Sequence, residues 1–114
     1  MPVTQQSLPT ILAVDDDGMV LHFVDQVLRG AGYRVVTADG GRKAIETYES
    51  LESPIHLLLT DVMMPDLSGP VLAERLRSKQ PNLQVLFISG FHDSEIVQQF
   101  AYNRGFAVLH KPFR

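Results

Sequence analysis

Carboxylates stand at the ends of two apolar runs in this sequence. Asp61 follows the run Ile55–Leu59 in I-H-L-L-L-T-D-V-M-M-P, and Asp15, Asp16 and Asp17 close I-L-A-V-D-D-D. Two further runs also end on chemistry: V-L-F-I-S closes on Ser89, and A-V-L-H-K-P on Lys111. A short apolar run of this kind reads as a strand buried on both faces, as in a parallel sheet. In open α/β sheets, ligands bind just beyond the carboxyl ends of the strands. Three carboxylates, a hydroxyl and an ammonium delivered there form a site for a divalent cation and a phosphoryl group. Carboxylates that share a cleft repel one another, and a hard dication relieves the repulsion. Mg²⁺ prefers oxygen ligands, octahedral geometry and several retained waters. An aspartate can also act as a nucleophile and form an aspartyl-phosphate.

The elements that must position these groups alternate. Ile11–Val14 is predicted as the first strand, and Asp17 caps a helix from about Gly18 to Arg29. Val20, Val24, Val27 and Leu28 recur at helical spacing and give that helix one apolar stripe, with Gly30 and Gly32 as its stop. Tyr33–Thr37 is the second strand. Asp39-Gly40-Gly41 turns into a second helix with Ala44, Ile45, Tyr48 and Leu51 facing inward. Ile55–Thr60 is the third strand, followed by the loop M-M-P-D-L-S-G. Ser68 caps a third helix through about Ser78, with Pro70 in its first turn. Leu83–Ser89 is the fourth strand. Asp93 or Ser94 caps a fourth helix that buries Ile96, Val97 and Phe100, and Ala107–Leu109 is the fifth strand. Alternating strands and helices with short connections imply right-handed crossovers and a parallel sheet.

With these motifs in order, the chain resembles the receiver domain of the two-component response regulators of bacteria. The resemblance rests on the tandem acids after the first strand, T-D-x-x-M-P after the third, S-G after the fourth and K-P-F after the fifth, and it runs from about Ile11 to Phe113. It implies a flavodoxin-like doubly wound five-stranded sheet of order 2-1-3-4-5, one domain over residues 1–114, with 1–9 a loose lead-in. It also implies that Asp61 accepts a phosphoryl group from a phosphohistidine of a histidine kinase or histidine phosphotransfer protein. Mg²⁺ would be held by Asp16, Asp61 and the Met63 carbonyl, with Asp15 acting through water. Lys111 would place its charge on the phosphoryl group, and Ser89 would turn toward it and draw in the loop after the fourth strand. Three carboxylates carry about three negative charges, and the dication with Lys111 returns about three positive ones, so a phosphoryl dianion can approach. Met63 and Phe91, two residues past Asp61 and Ser89, would govern access of the hydrolytic water. Val108 departs from the pattern: it stands three residues before Lys111, where the family often has Tyr or Phe. A receiver also carries a fifth helix after K-P-F, whereas the sequence stops at Arg114. Without that helix, apolar side chains of strands one, three, four and five would meet water, so a covering segment or self-association is expected.

Other readings compete. Asp15 to Asp17 contain a formal D-x-D, the nucleophile-and-acid pattern of haloacid dehalogenase-type phosphohydrolases, but a chain of 114 residues leaves no room for a cap domain. The three aspartates can also be read simply as helix caps, Asp17 above all, and S-G as a turn. A receiver fold used only as a protein-binding module would not need the Asp61, Ser89 and Lys111 set. The four histidines, His22, His56, His92 and His110, show no metal spacing and default to structural roles. Met63 and Met64 read as packing residues.

Bulk properties narrow the class further. A net charge of −3 argues against a nucleic-acid surface. No apolar stretch approaches the roughly 20 residues needed to span a bilayer, and the first ten residues lack the pattern of a signal peptide. The absence of cysteine excludes disulfides and thiolate metal sites and fits a cytoplasmic protein; the resemblance implies a phosphoacceptor switch rather than an enzyme acting on other molecules.

Overall fold

The computed structural model describes residues 8–89 and 107–110. Eight elements follow in the order β1 (Thr10–Val14), α1 (Gly18–Gly30), β2 (Arg34–Ala38), α2 (Gly41–Ser50), β3 (Leu57–Asp61), α3 (Gly69–Lys79), β4 (Gln84–Ser89) and β5 (Ala107–His110). The strands form one parallel sheet of order β2-β1-β3-β4-β5. β1 therefore lies between β2 and β3, with Ala13 beside both Thr37 and Leu59. This is the doubly wound order that the receiver resemblance implies. The predicted fourth helix lies outside the described residues, as do Phe91 and Lys111.

Side chains on a strand alternate between faces, and here the alternation divides the core in two. Leu12, Val14, Leu58, Val85 and Phe87 pack with Ala44 of α2 and Leu72, Ala73 and Leu76 of α3. Ile11, Ala13, Leu59 and Ile88 point the other way, into a cluster with Val24 of α1. Every residue of β1 is buried, as a central strand covered on both faces requires. The large open patch expected on the α1 face is not seen among the described residues of β1, β3 and β4. Ile11, Ala13, Leu59 and Ile88 are buried, and Leu57 and Leu86 are half-buried against the same cluster as Val20, Leu21 and Leu28.

Local signals set most element ends. Asp17 Oδ1 accepts the Met19 and Val20 amides at 2.9 and 3.4 Å and starts α1. Ser68 Oγ accepts the Val71 amide at 3.3 Å and, with Pro70 behind it, starts α3. Ala44 is buried on α2, with Ile45, Tyr48 and Leu51 packed partly against the core as expected.

Three expectations need correction. Val27 is 51 % exposed, and Leu21 takes its place beside Val20, Val24 and Leu28. The α1 stripe follows 3.6 residues per turn, so Val27, three residues past Val24, turns off the buried line that Leu21 and Leu28 continue. Gly30 lies inside α1, whose cap is Ala31. Ile55 and His56 precede β3 rather than open it. His56 is exposed, and it bonds to the start of β1 twice: its amide donates to the Thr10 carbonyl at 2.8 Å, and its Nδ1 accepts the Thr10 amide at 3.0 Å.

At the end of the sheet away from the acids, Gln80 joins three segments. Its Nε2 donates to the Ile55 carbonyl at 2.6 Å, its Oε1 accepts the Tyr48 hydroxyl at 3.0 Å, and its amide donates to Leu76. Gln80→Ala leaves a half-buried carbonyl and a hydroxyl unmatched. We expect it to cost about 1–2 kcal/mol and to lower Tm by about 4–8 °C, read by circular dichroism. An unchanged Tm would show that water replaces the amide without loss.

Candidate functional site

Asp61 is the last residue of β3 and only 7 % exposed. It does not trail off into a loop, because its backbone is held on three sides. Its carbonyl accepts the buried Thr60 hydroxyl at 2.9 Å, its residue pairs with Ile88 of β4, and Gly69 at the start of α3 packs directly against it. The carboxylate is oriented by its own neighbour, Oδ1 accepting the Val62 amide at 2.9 Å.

Asp15 follows β1 and is 1 % exposed. Its amide donates to the Ala38 carbonyl at 3.3 Å, continuing the contact with β2, and its Oδ1 accepts the Asp17 amide at 2.8 Å. Asp16, next along, is exposed. Because β1 and β3 are neighbours, one carboxylate oxygen from each of Asp15, Asp16 and Asp61 lies within 4.8 Å of the others. Three oxygen donors this close, two buried and one open to solvent, suit a hard oxygen-loving dication. Asp17 does not belong to this group. Its carboxylate caps α1, so the second acid of a D-x-D pair is engaged elsewhere.

Ser89 ends β4, one residue past the partner of Asp61, and its backbone pairs with His110 at the end of β5. Lys111 is the next residue in the chain. Val108 lies on β5 beside Phe87. The carboxyl ends of β1, β3, β4 and β5 thus meet along one edge of the sheet, as ligand sites in such folds require.

The two methionines differ. Met64 is buried in the main core, while Met63 is 65 % exposed. Met63 is therefore not a packing residue; the β3–α3 loop turns its side chain out while Val62 and Met64 turn in.

Sequence reasoning passed over the residues that hold this loop. Gly69 donates its amide to the Val62 carbonyl at 2.8 Å and closes the loop at its base. Asp66 reaches the start of α2, where Oδ1 accepts the Gly41 amide at 3.1 Å and Oδ2 the Arg42 amide at 3.0 Å. The Arg42 amide above all holds the Asp66 carboxyl below its ordinary 3.8. A carboxyl with a lowered folded-state value contributes stability above the unfolded value, lost as pH falls through the folded one. Here that loss belongs to the region below 3.8. One signal was available in the sequence: Gly40 at the N-cap of α2 brings no side-chain acceptor, so the first amides need one from elsewhere.

A five-stranded parallel sheet of order 2-1-3-4-5, with acids gathered at the strand ends, defines the flavodoxin-like doubly wound class of folds. The family model of the response regulator receiver domain matches residues 11–114. The chain belongs to the response regulator receiver family. It is 38% identical over 103 residues to the response regulator receiver protein CpdR of Brucella abortus, covering 90% of this chain and 84% of that protein. It is also 32% identical over 104 residues to the sensor kinase CckA of the same organism, covering 91% of this chain but only 11% of the kinase. Among solved structures, a receiver domain from Clostridium thermocellum superposes with a TM-score of 0.85 at 26% identity, covering 94% of this chain and 85% of that one. A CheY-like receiver from Methanospirillum hungatei gives 0.82 at 30% identity, covering 95% and 85%. Among the described residues, no helix is long and apolar enough to cross a membrane.

Proposed function

We propose that this chain is a cytoplasmic phosphoacceptor switch, in which Asp61 takes a phosphoryl group from a phosphohistidine of a histidine kinase or phosphotransfer protein. The observation that carries this reading is the approach of Asp15, Asp16 and Asp61 to within 4.8 Å at the ends of adjacent strands. A carboxylate oxygen of Asp61 attacks phosphorus, an acyl-phosphate P–O bond forms and the P–N bond of the donor breaks. The imidazole nitrogen leaves with the electron pair and is reprotonated from solvent. The chain does little covalent work beyond presenting the nucleophile in line, which is how phosphoryl transfer is generally catalysed.

The donor set fits Mg²⁺, with Asp16, Asp61 and the Met63 carbonyl as ligands and Asp15 acting through water. When bound, the ion supplies the positive charge that lets a phosphoryl dianion approach the carboxylates. Lys111 adds a second positive charge from the end of β5. Ser89, at the end of β4, gives its hydroxyl to the modified Asp61 and couples it to the segment that follows.

Acetyl phosphate with Mg²⁺ tests the reading without a partner protein. Intact-mass spectrometry should show a single added phosphoryl group, abolished by EDTA. Modification that persists in EDTA or in Asp61→Asn would defeat the assignment.

A further inference from the structure

Both oxygens of an exposed carboxylate, Asp66, are spent on the first two amides of a helix that does not contain it. We infer that Asp66 is a positioning residue for phosphoryl acceptance: it clasps the β3–α3 loop to the start of α2 and so sets the backbone of Met63 beside Asp61. The inference rests on the phosphoacceptor reading above and adds a residue that touches neither metal nor phosphoryl group.

The loop from Val62 to Ser68 has an anchor at each end of its path. At its base the Gly69 amide meets the Val62 carbonyl at 2.8 Å. At its far side Asp66 meets α2. Between the two lies Met63, whose exposed side chain gives it no packing anchor of its own. Its neighbours Val62 and Met64 are anchored in the core, so the clasps set the position of its carbonyl together with those two buried side chains.

The start of α2 is shaped to receive the loop. A Cβ on Gly41 would stand 2.5 Å from Cβ of Leu67, and one on Gly40 would stand 3.2 Å from Asp66 Oδ2. A side chain at Gly41 would push the loop away, whereas one at Gly40 would press on the Asp66 carboxylate by a few tenths of an ångström. α2 has no side-chain cap of its own, so its orphan amides and the loop carboxylate satisfy each other. The helix dipole favours the same arrangement.

The test uses the full chain with Mg²⁺ alone and with acetyl phosphate. Asp66→Ala should raise the Mg²⁺ dissociation constant roughly 10-fold, the lower end of what is lost when a group that orients metal ligands is removed. Its phosphorylation rate at sub-saturating Mg²⁺ should fall by a similar factor and recover toward wild type as Mg²⁺ is raised. Asp66→Asn keeps an acceptor oxygen for one of the two amides and should fall between. Gln80→Ala, which weakens the opposite end of the sheet, should change neither quantity. If Asp66→Ala only melts earlier, with wild-type Mg²⁺ affinity and rate, Asp66 is a cap and nothing more. Should Asp66→Ala fail to fold, an Asp66→Asn variant indistinguishable from wild type in both measurements would overturn the inference. If wild type itself neither binds Mg²⁺ nor takes up phosphate, the phosphoacceptor reading falls, and this inference with it.

Discussion

Asp61→Asn is expected to take up no phosphoryl group and, in EDTA, to melt no lower than wild type. The amide oxygen can accept the Val62 amide as Oδ1 does now, and the side-chain volume is nearly unchanged. What disappears is one of three negative charges within 4.8 Å. Two carboxylates at that separation repel by about 3 kcal/mol at the effective dielectric constant of 20 that suits protein sites. Asp15 and Asp61 are both buried and feel most of this, whereas Asp16 is exposed and its share is screened. Mg²⁺ should then raise Tm of wild type, because a ligand that binds only the folded state stabilises it by RT ln(1 + [L]/Kd). The shift should shrink sharply in the variant. Thermal melts in EDTA and in several concentrations of Mg²⁺ check both halves. A variant several degrees less stable in EDTA, or one that Mg²⁺ stabilises as much as wild type, would show that the three carboxylates are neither strained nor a cation site.

Among the described glycines, Gly69→Ala should be the most damaging substitution. A Cβ at this position would fall on the Asp61 carbonyl oxygen and lie 3.1 Å from the Val62 Cα. These are backbone atoms, so no rotamer change relieves the overlap. Either α3 must lift from the sheet, or the end of β3 must move. Overpacking ordinarily costs about 1–3 kcal/mol, more when backbone is displaced, and the upper end is expected here. In a chain of this length that corresponds to about 12 °C in Tm. Because the displaced carbonyl belongs to Asp61, phosphorylation by acetyl phosphate should also slow at temperatures where the variant is still folded. Circular dichroism melts and intact-mass time courses measure the two effects. A variant with wild-type stability would mean that α3 can start a little further from β3 at no cost.

Comparing the Asp61 and Asp66 environments shows how far residue patterns reach. Asp61 was legible because an apolar run buried on both faces must end where its polar residues can meet water, and that end is where such sheets bind ligands. The caps Asp17 and Ser68 were legible for a similar reason: each serves amides two or three residues away. Val27 was misread because spacing alone does not say which of two neighbouring helical lines faces the sheet. His56 was absorbed into a strand because its neighbours Ile55 and Leu57 are apolar, and only its two bonds to Thr10 show that it sits at the junction before β3.

Taken alone, the amino-acid order determined the strands, most helix starts, the inward face of α2, and the acids that end β1 and β3. Each of these depends on groups within a few residues of one another, where hydrogen-bond reach and side-chain periodicity leave little choice. Only the tertiary structure decided that β1 lies beside β3, which turns Asp15, Asp16 and Asp61 from three separate carboxylates into one cluster. It alone brought Asp66 to amides 24 and 25 residues earlier, and set Gly69 against the carbonyl of Asp61. Such contacts depend on which way each crossover returns the chain and how closely the layers pack. Those are properties of the whole sheet, and no local run of residues encodes them.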